Sequence, residues 1–397
     1  MYLLRKRIFT MLFLPILLCF SAWNAWKTAP ALFDAVQGKS PQQAVTAMDN
    51  AVTENLTGKM NFIEFYSWLQ RLMDKREIGN FDYIKDEDGF LHYSSFFREA
   101  DPNLFDYALR VKRMQDDIAS RGTKLLFVLA PSKYIPGVTR LRPGLSANDP
   151  AEEAETLLIY LNRLGVQTLD LGGYLPGNGL CYEETFFRTD HHWTIPAAFE
   201  ASKILFDTLN RRFGANLDGK SLEGDQYKTV TYPKGMLGSL GRRTGVNFVG
   251  LEDFTALWPL DDNRYARDTL EADGTLTHLE GTAQDTLLVL EALDQDRGIY
   301  RDSMYSMYLN GVQHFDRILN VTNPQRPSVF FIRDSYFSPV MTFLAPCFGR
   351  MEAMWLLEDR KELNIEDFVK ENEFDYIILE LYPYNIGDEA FNFFREG

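Results

Sequence analysis

The stretch Thr185-Phe186-Phe187-Arg188-Thr189-Asp190-His191-His192-Trp193-Thr194 holds two of the five histidines in a 397-residue chain, side by side and next to an aspartate. A histidine that moves protons near neutral pH needs a partner that fixes its tautomer, and a carboxylate is the usual one. If the backbone from Asp190 to His192 is extended, their side chains share a face about 6.6 Å apart along the strand and His191 points away from it. Such a pair can take a proton from a nucleophile. A serine hydroxyl is weakly nucleophilic until an oriented base does so, and Ser335 follows directly on the run Ser328-Val329-Phe330-Phe331-Ile332-Arg333-Asp334. Asp190, His192 and Ser335 therefore suggest covalent acyl transfer. A metal site built from Asp190, His191 and His192 is the weaker alternative, because no third ligand follows at a usual spacing.

The elements around these residues place them at the ends of strands. Lys124 to Ala130, Gln167 to Leu171, Ser328 to Arg333, Glu352 to Leu357 and Tyr376 to Leu381 are continuous apolar runs of the kind buried on both faces of a parallel sheet. Helical periodicity separates them. One helix follows Asp101 and Pro102, with Leu104, Tyr107, Ala108, Val111, Met114 and Ile118 on one stripe, and others cover Ala151 to Arg163 and Ile365 to Glu371. Thr194 caps a helix with Ala197, Ala201, Ile204 and Leu205 on its buried side, which leaves Asp190 and His192 on the preceding loop. Ser338 and Pro339 open another helix just after Ser335. Alternating strands and helices predict an α/β parallel sheet with helices on both faces. Ligands bind beyond the carboxyl ends of such strands, where Ser335 stands.

From about residue 214 to 320 the pattern changes. Tyr227 to Tyr232, Asn247 to Leu251 and Gly274 to Thr282 read as strands, and Gly235, Gly238, Gly241 and Gly245 punctuate a tight loop, so a β-rich insertion is expected here. At the other end of the chain, Arg5-Lys6-Arg7 precedes 19 uncharged residues from Ile8 to Trp26. Basic residues ahead of an apolar run hold the N-terminus in the cytoplasm and send the remainder across the membrane. Residues 1–27 are read as a signal anchor, with a cleaved signal peptide as the rival, 28–58 as a stalk, and 59–397 as the catalytic domain.

A formal charge of -15 excludes a nucleic-acid groove, which needs clustered Lys and Arg. Cys181 and Cys347 are the only cysteines beyond the apolar run; a disulfide and two buried thiols both remain open. No residue pattern calls for a cofactor. His92, His278 and His314 have no partner readable from sequence. Lys133 and Arg243 are candidates for binding an anionic sugar or donor, and Trp193 and Tyr336 for lining a pocket, each with a purely structural alternative.

Thr189-Asp190-His191-His192-Trp193-Thr194 resembles the motif of the DHHW-type bacterial proteins and their relatives, the alginate O-acetylation proteins with an SGNH-hydrolase-like domain. Asp88-Gly89-Phe90-Leu91-His92-Tyr93, the strand ending Ala130-Pro131-Ser132-Lys133, Gly238-Ser239-Leu240-Gly241-Arg242-Arg243-Thr244-Gly245, and Arg333-Asp334-Ser335-Tyr336 agree with that pattern in order. The resemblance implies a three-layer SGNH-hydrolase-like fold behind an N-terminal membrane anchor. It also implies a triad of Ser335, His192 and Asp190 that acetylates a hydroxyl of an exported polysaccharide, with acetyl groups supplied by a multispanning membrane acyltransferase. A carbohydrate acetyl esterase and a non-catalytic polysaccharide-binding scaffold are the alternatives. One departure concerns the nucleophile motif, where Arg333 stands in place of the glycine before Asp-Ser. The oxyanion donor expected first is the Ser335 amide. An amide of the glycine loop such as Gly241, the Gly311 amide or the Asn310 side chain would complete the hole.

Overall fold

The computed structural model describes residues 2–37, 41–94, 99–145, 150–175, 179–271, 273–294, 296, 298–301, 303–358 and 363–395. Two compact units divide the chain, Met1–Asp74 and Lys75–Gly397. In the first, α1 (Tyr2–Val36) is long and apolar enough to cross a membrane, by a window within Phe9–Val36; a signal sequence has the same features. Helices α2 (Pro41–Asn55) and α3 (Lys59–Leu72) follow. The segment read as a stalk is thus largely helical, and residues 38–40 within it lie outside the described residues.

The second unit opens with a small antiparallel sheet of β1 (Glu77–Ile78), β2 (Tyr83–Lys85) and β3 (Leu91–Tyr93). Its central sheet has the order β5-β4-β13-β11-β12-β10-β8-β9. The parallel half consists of β4 (Lys124–Leu129), β5 (Thr168–Asp170), β11 (Ser328–Arg333), β12 (Arg350–Trp355) and β13 (Tyr376–Leu381). Along these strands alternate residues enter different cores. Leu126, Val128, Val329, Phe331 and Ile378 join the layer containing the helix Ile195–Phe213. Leu125, Phe127, Phe330, Ile332 and Ile377 join the layer of Leu104–Ala119 and Pro150–Arg163. Both faces are covered, which is why these strands are apolar throughout.

The sheet is mixed, with the expected parallel strands forming one half of it. The segment read as a β-rich insertion supplies a ribbon, β6 (Tyr227–Met236) with β7 (Glu252–Pro259), and three strands that extend the main sheet antiparallel, β8 (Tyr265–Leu270), β9 (Leu276–Gly281) and β10 (Phe315–Asn320). Val246–Val249 is a helical turn, where a strand was expected over Asn247 to Leu251. Gly245 (φ 89°) and Gly250 (φ 79°) close it at both ends. The helix after Pro102 begins at Leu104, because Asp101 spends its carboxylate on the Asn103 amide and the Tyr107 hydroxyl.

Chain order fixes where a site can form. From β11 the chain crosses to β12 on one side and then to β13 on the other, so the carboxyl ends of β11 and β13 flank a switch point. Ser335 lies just past the first of these ends and Tyr382 just past the second.

Candidate active site

Asp190, His191 and His192 lie on a bend between the bridge residues Phe186 and Trp193. The backbone is not extended, because the Asp190 carboxylate folds forward to accept the His192 amide at 3.1 Å. The expectation for His191 is thereby corrected. Its ring does not turn away but lies against His192, tilted by 38° with 3.8 Å between centroids, and Nδ1 is 2.8 Å from Ser239 Oγ and 3.3 Å from Asp190 Oδ1.

His192 Nδ1 lies 2.6 Å from Asp190 Oδ1, and His192 Nε2 lies 2.8 Å from Ser335 Oγ. An ionised carboxylate only accepts, so Nδ1 carries the proton and Nε2 offers its lone pair to the serine hydroxyl. Burial pushes His192 down to about 4, against the pull of Asp190, so it is neutral at pH 7. Burial alone would raise the Asp190 pKa; the two histidines overcome that and hold it well below the usual range. Tyr305 stacks on the outer face of the His192 ring at 4.0 Å and 12°.

Few of the groups that hold this loop were legible as such. Lys133 is fully buried, and its ammonium donates to the carbonyls of Leu91 and Asp190 at 2.6 Å each and of Arg188 at 3.3 Å. It is a tie beneath the loop, with no face toward a substrate, and burial lowers its pKa to about 8. Glu252 accepts the Arg188 and Thr189 amides at 2.6 Å each. The glycine loop presses on the other side, with Ser239 N donating to Asp190 Oδ2 at 2.6 Å and Gly238 N to Thr189 Oγ1 at 2.7 Å. A Cβ at Gly238 would stand 2.4 Å from Asp190 Cβ, so only glycine permits this approach.

Two oxyanion candidates are already committed elsewhere. Gly241 N donates to Thr189 O at 2.8 Å and Gly311 N to Tyr308 O at 3.1 Å. Asn310 is exposed, and its carbonyl binds Gln313 Nε2. The Ser335 amide has no acceptor among the described residues. Asn385, which sequence reasoning missed, borders the same cleft and donates from Nδ2 to Asp334 Oδ2 at 2.7 Å.

Of the pocket candidates, Trp193 is wholly buried, its indole N–H shared by Tyr305 Oη at 3.1 Å and Tyr336 O at 3.2 Å. Tyr336 is buried too, stacked on Tyr382 at 4.5 Å, with its hydroxyl donating to the His191 carbonyl. Arg243 is exposed and donates to Tyr83 Oη at 2.9 Å. The cleft over Ser335 has a volume of about 390 Å³ and is bordered by Tyr93, His191, Trp355, Tyr382, Tyr384 and Asn385. A larger apolar cavity of about 520 Å³ sits past the ends of β4 and β5 and contains none of Asp190, His192 and Ser335.

Ligand atoms of Asp190, His191 and His192 lie within 4.8 Å of one another, close enough to hold a cation. With its Nδ1 proton on Asp190 Oδ1 and its Nε2 facing Ser335 Oγ, His192 has no lone pair turned toward such a cation. The remaining histidines do have partners. His92 meets Asp86 at 2.9 Å in the interior, His278 meets Asp268 at 2.6 Å on the surface, and His314 meets Glu358 at 2.5 Å. Cys181 is an exposed free thiol and Cys347 a buried one, so the two are not bridged.

The sequence profile for the SGNH hydrolase-like domain of the acetyltransferase AlgX matches residues 84–282. No curated protein matches the chain. Among solved structures, a DHHW family protein from Eubacterium siraeum is 17% identical with a TM-score of 0.59, over 81% of this chain and 98% of its own. Bacillus cereus PatB1 is 17% identical with a TM-score of 0.63, over 78% and 99%. PatB1 bearing a sulfonyl adduct gives 17% and 0.61, over 79% and 97%. At this identity the likeness is one of fold.

Proposed function

Because the chain belongs to the family of SGNH hydrolase-like domains described for the acetyltransferase AlgX, we propose that it O-acetylates a polysaccharide outside the cytoplasm through Ser335, His192 and Asp190. The observation that carries this reading is the unbroken hydrogen-bond chain from Asp190 Oδ1 through both ring nitrogens of His192 to Ser335 Oγ. A scaffold that only binds glycan has no use for a neutral buried imidazole against a serine hydroxyl.

In the first step His192 Nε2 takes the Ser335 proton as Oγ attacks the donor's acetyl carbonyl, and the leaving group departs with that proton. In the second, a sugar hydroxyl gives its proton to the same nitrogen and attacks the acetyl-serine; the bond to Oγ breaks, and Nε2 returns the proton to Ser335 Oγ, restoring the neutral imidazole. The developing oxyanion is met by the Ser335 amide and by the second N–H of Asn385 Nδ2, each donor contributing about 3 kcal/mol in the transition state. The exposed edges of Tyr93, Trp355 and Tyr384 give a sugar ring apolar faces to lie against. Helix α1 is the anchor, and the acetyl group arrives from a multispanning membrane acyltransferase.

The test uses a chromogenic acetyl ester and an oligosaccharide acceptor. Turnover should fall at least about 10³-fold in Ser335→Ala, and an aryl sulfonyl fluoride should add one sulfonyl group at Ser335 of the unmodified chain, as the adduct on PatB1 suggests. Unchanged turnover in Ser335→Ala rejects the nucleophile. Acetate release with no acetylated oligosaccharide by mass assigns the chain as an esterase.

A further inference from the structure

Helix α3 is built inside out. Phe62, Phe65, Tyr66, Leu69, Leu72 and Met73 recur at intervals of three and four, a stripe that faces the core in a water-soluble helix. Here Phe62, Phe65 and Leu72 are 53%, 62% and 65% exposed, while the buried side chains of this helix are Ser67 and Gln70. Trp68 borders the stripe and stacks on Phe65 at 5.8 Å. A soluble protein rarely leaves so continuous an apolar surface in water.

Two contacts fix where along α1 this helix begins. Thr57 N donates to Asn24 Oδ1 at 2.7 Å, and the Phe62 ring meets Phe20 edge-on at 5.8 Å. Phe20 and Asn24 lie at the far end of the uncharged run, beside Trp23 and Trp26. That is the depth at which a spanning helix leaves the hydrocarbon for the headgroups, and indole and phenol rings collect there. Tyr66 and Trp68 bring the same apolar bodies with polar tips. Glu64 and Arg71 fall on the opposite side of α3 by helical spacing, and the charge in line with the stripe is Lys59 at the first position of the helix.

We propose that α3 lies in the outer interface of the bilayer crossed by α1, its stripe of Phe62, Phe65, Tyr66, Leu69, Leu72 and Met73 turned toward the acyl chains. The occupant of the stripe is lipid, and the chain is held to the membrane by a span and an interfacial helix together. This rests on the anchor reading of α1 and is independent of the acetyl-transfer chemistry.

The test uses the full chain with Cys19, Cys181 and Cys347 replaced by alanine and one new cysteine at a time carrying a bimane label. It is reconstituted into vesicles of phosphatidylethanolamine and phosphatidylglycerol with nitroxides placed near the headgroup or at mid-chain. Labels at Phe65→Cys and Leu69→Cys should be quenched several-fold more by the shallow nitroxide than those at Glu64→Cys and Arg71→Cys, and a label at Leu14→Cys most by the deep one. Deep quenching at Leu14→Cys with no difference among the α3 positions overturns the proposal and leaves the anchor standing. No quenching at any position removes the anchor and the proposal together. Labels at Phe65→Cys and Leu69→Cys shielded from both nitroxides and aqueous iodide mean that protein covers the stripe, a second copy included, and overturn it as well.

Discussion

One methyl group added at Gly238 should disarm the site without altering any reacting group. The new Cβ of Gly238→Ala would stand 2.4 Å from Asp190 Cβ and 2.7 Å from Asp190 Cα and N, against 3.4 Å for ordinary contact. The difference of about 1 Å must be taken up by main chain, since the opposing atoms cannot rotate aside. The segment that moves carries Ser239 N, whose bond to Asp190 Oδ2 is 2.6 Å; displaced by that amount it reaches about 3.6 Å, beyond a hydrogen bond. A carboxylate released on one side no longer holds His192 at its angle to Ser335. Misplacement of this size costs roughly 10²-fold in rate, and overpacking about 1–3 kcal/mol in stability. The assay is kcat on the acetyl ester beside a denaturation midpoint for the same sample. Gly241→Ala is the milder comparison, because its Cβ would meet the terminal Cδ1 of Leu237 at 2.6 Å, an atom that can swing away, and Thr189 Cβ only at 3.0 Å. A wild-type rate and midpoint for Gly238→Ala, or equal damage from Gly241→Ala, would refute the argument that close approach to Asp190 is what this loop provides.

The acid limb of the rate profile should lie unusually low. A general base works unprotonated, and burial lowers His192 to about 4, so kcat/KM measured against pH should hold from neutrality downward and fall only near that value, whereas a half-point near 6.5 would contradict the buried, neutral ring. Lys133→Met should lower stability by roughly 2–4 kcal/mol, since the carbonyls of Leu91, Arg188 and Asp190 lose their donor while the stem is replaced in shape. It should also lower kcat more than it raises KM, because the residue positions the loop and does not touch substrate; thermal denaturation and steady-state kinetics together check this.

The parallel half of the sheet was legible because both of its faces are buried and its strands are apolar at every position. Of the antiparallel half, β9 was read within Gly274 to Thr282, but β8 and β10 were hidden by what they carry inward. In β8 the buried positions are Tyr265, Arg267 and Thr269, and in β10 they are Asp316, Ile318 and Asn320. Arg267 Nη2 meets Asp316 Oδ1 at 2.6 Å, 3% and 1% exposed respectively, so a buried ion pair stands where hydrophobic alternation would have announced a strand. In the site, residue types and chain order pointed to Asp190, His192 and Ser335, which hydrogen bonds join in the fold, but not to the use of the glycine loop or of Lys133. Which amide is free and which is spent depends on pairing between segments remote in sequence, as when Thr189 O takes the Gly241 N–H. The bend at Asp190 escaped for a related reason: the side chain competes with the extended backbone for the His192 amide.

Arg333 shows how a departure from a motif can be absorbed. A glycine before Asp-Ser suggests a turn that needs left-handed backbone, yet Arg333 is not among the residues with positive φ, so the chain leaves β11 in a conformation open to any side chain. The guanidinium is fully buried and spans the gap a glycine would leave. Nη1 donates to Gly311 O at 3.1 Å, Asp334 O at 3.2 Å and Ser338 Oγ at 2.8 Å, and Nη2 reaches Asp316 Oδ2 at 3.3 Å. Asp316 thereby joins two arginines, Arg267 from β8 and Arg333 from β11, and an ion pair of this kind is strongly destabilising to break from one side, by about 3–5 kcal/mol. On the far side of the turn Glu380 accepts the Asp334 amide at 2.9 Å, and burial beside Asp334 raises its pKa well above the ordinary value. The backbone at Ser335, the proposed nucleophile, is therefore clamped from β8, β10 and β13 at once. The strands that the antiparallel extension adds to the sheet are in this way part of what holds Ser335 still.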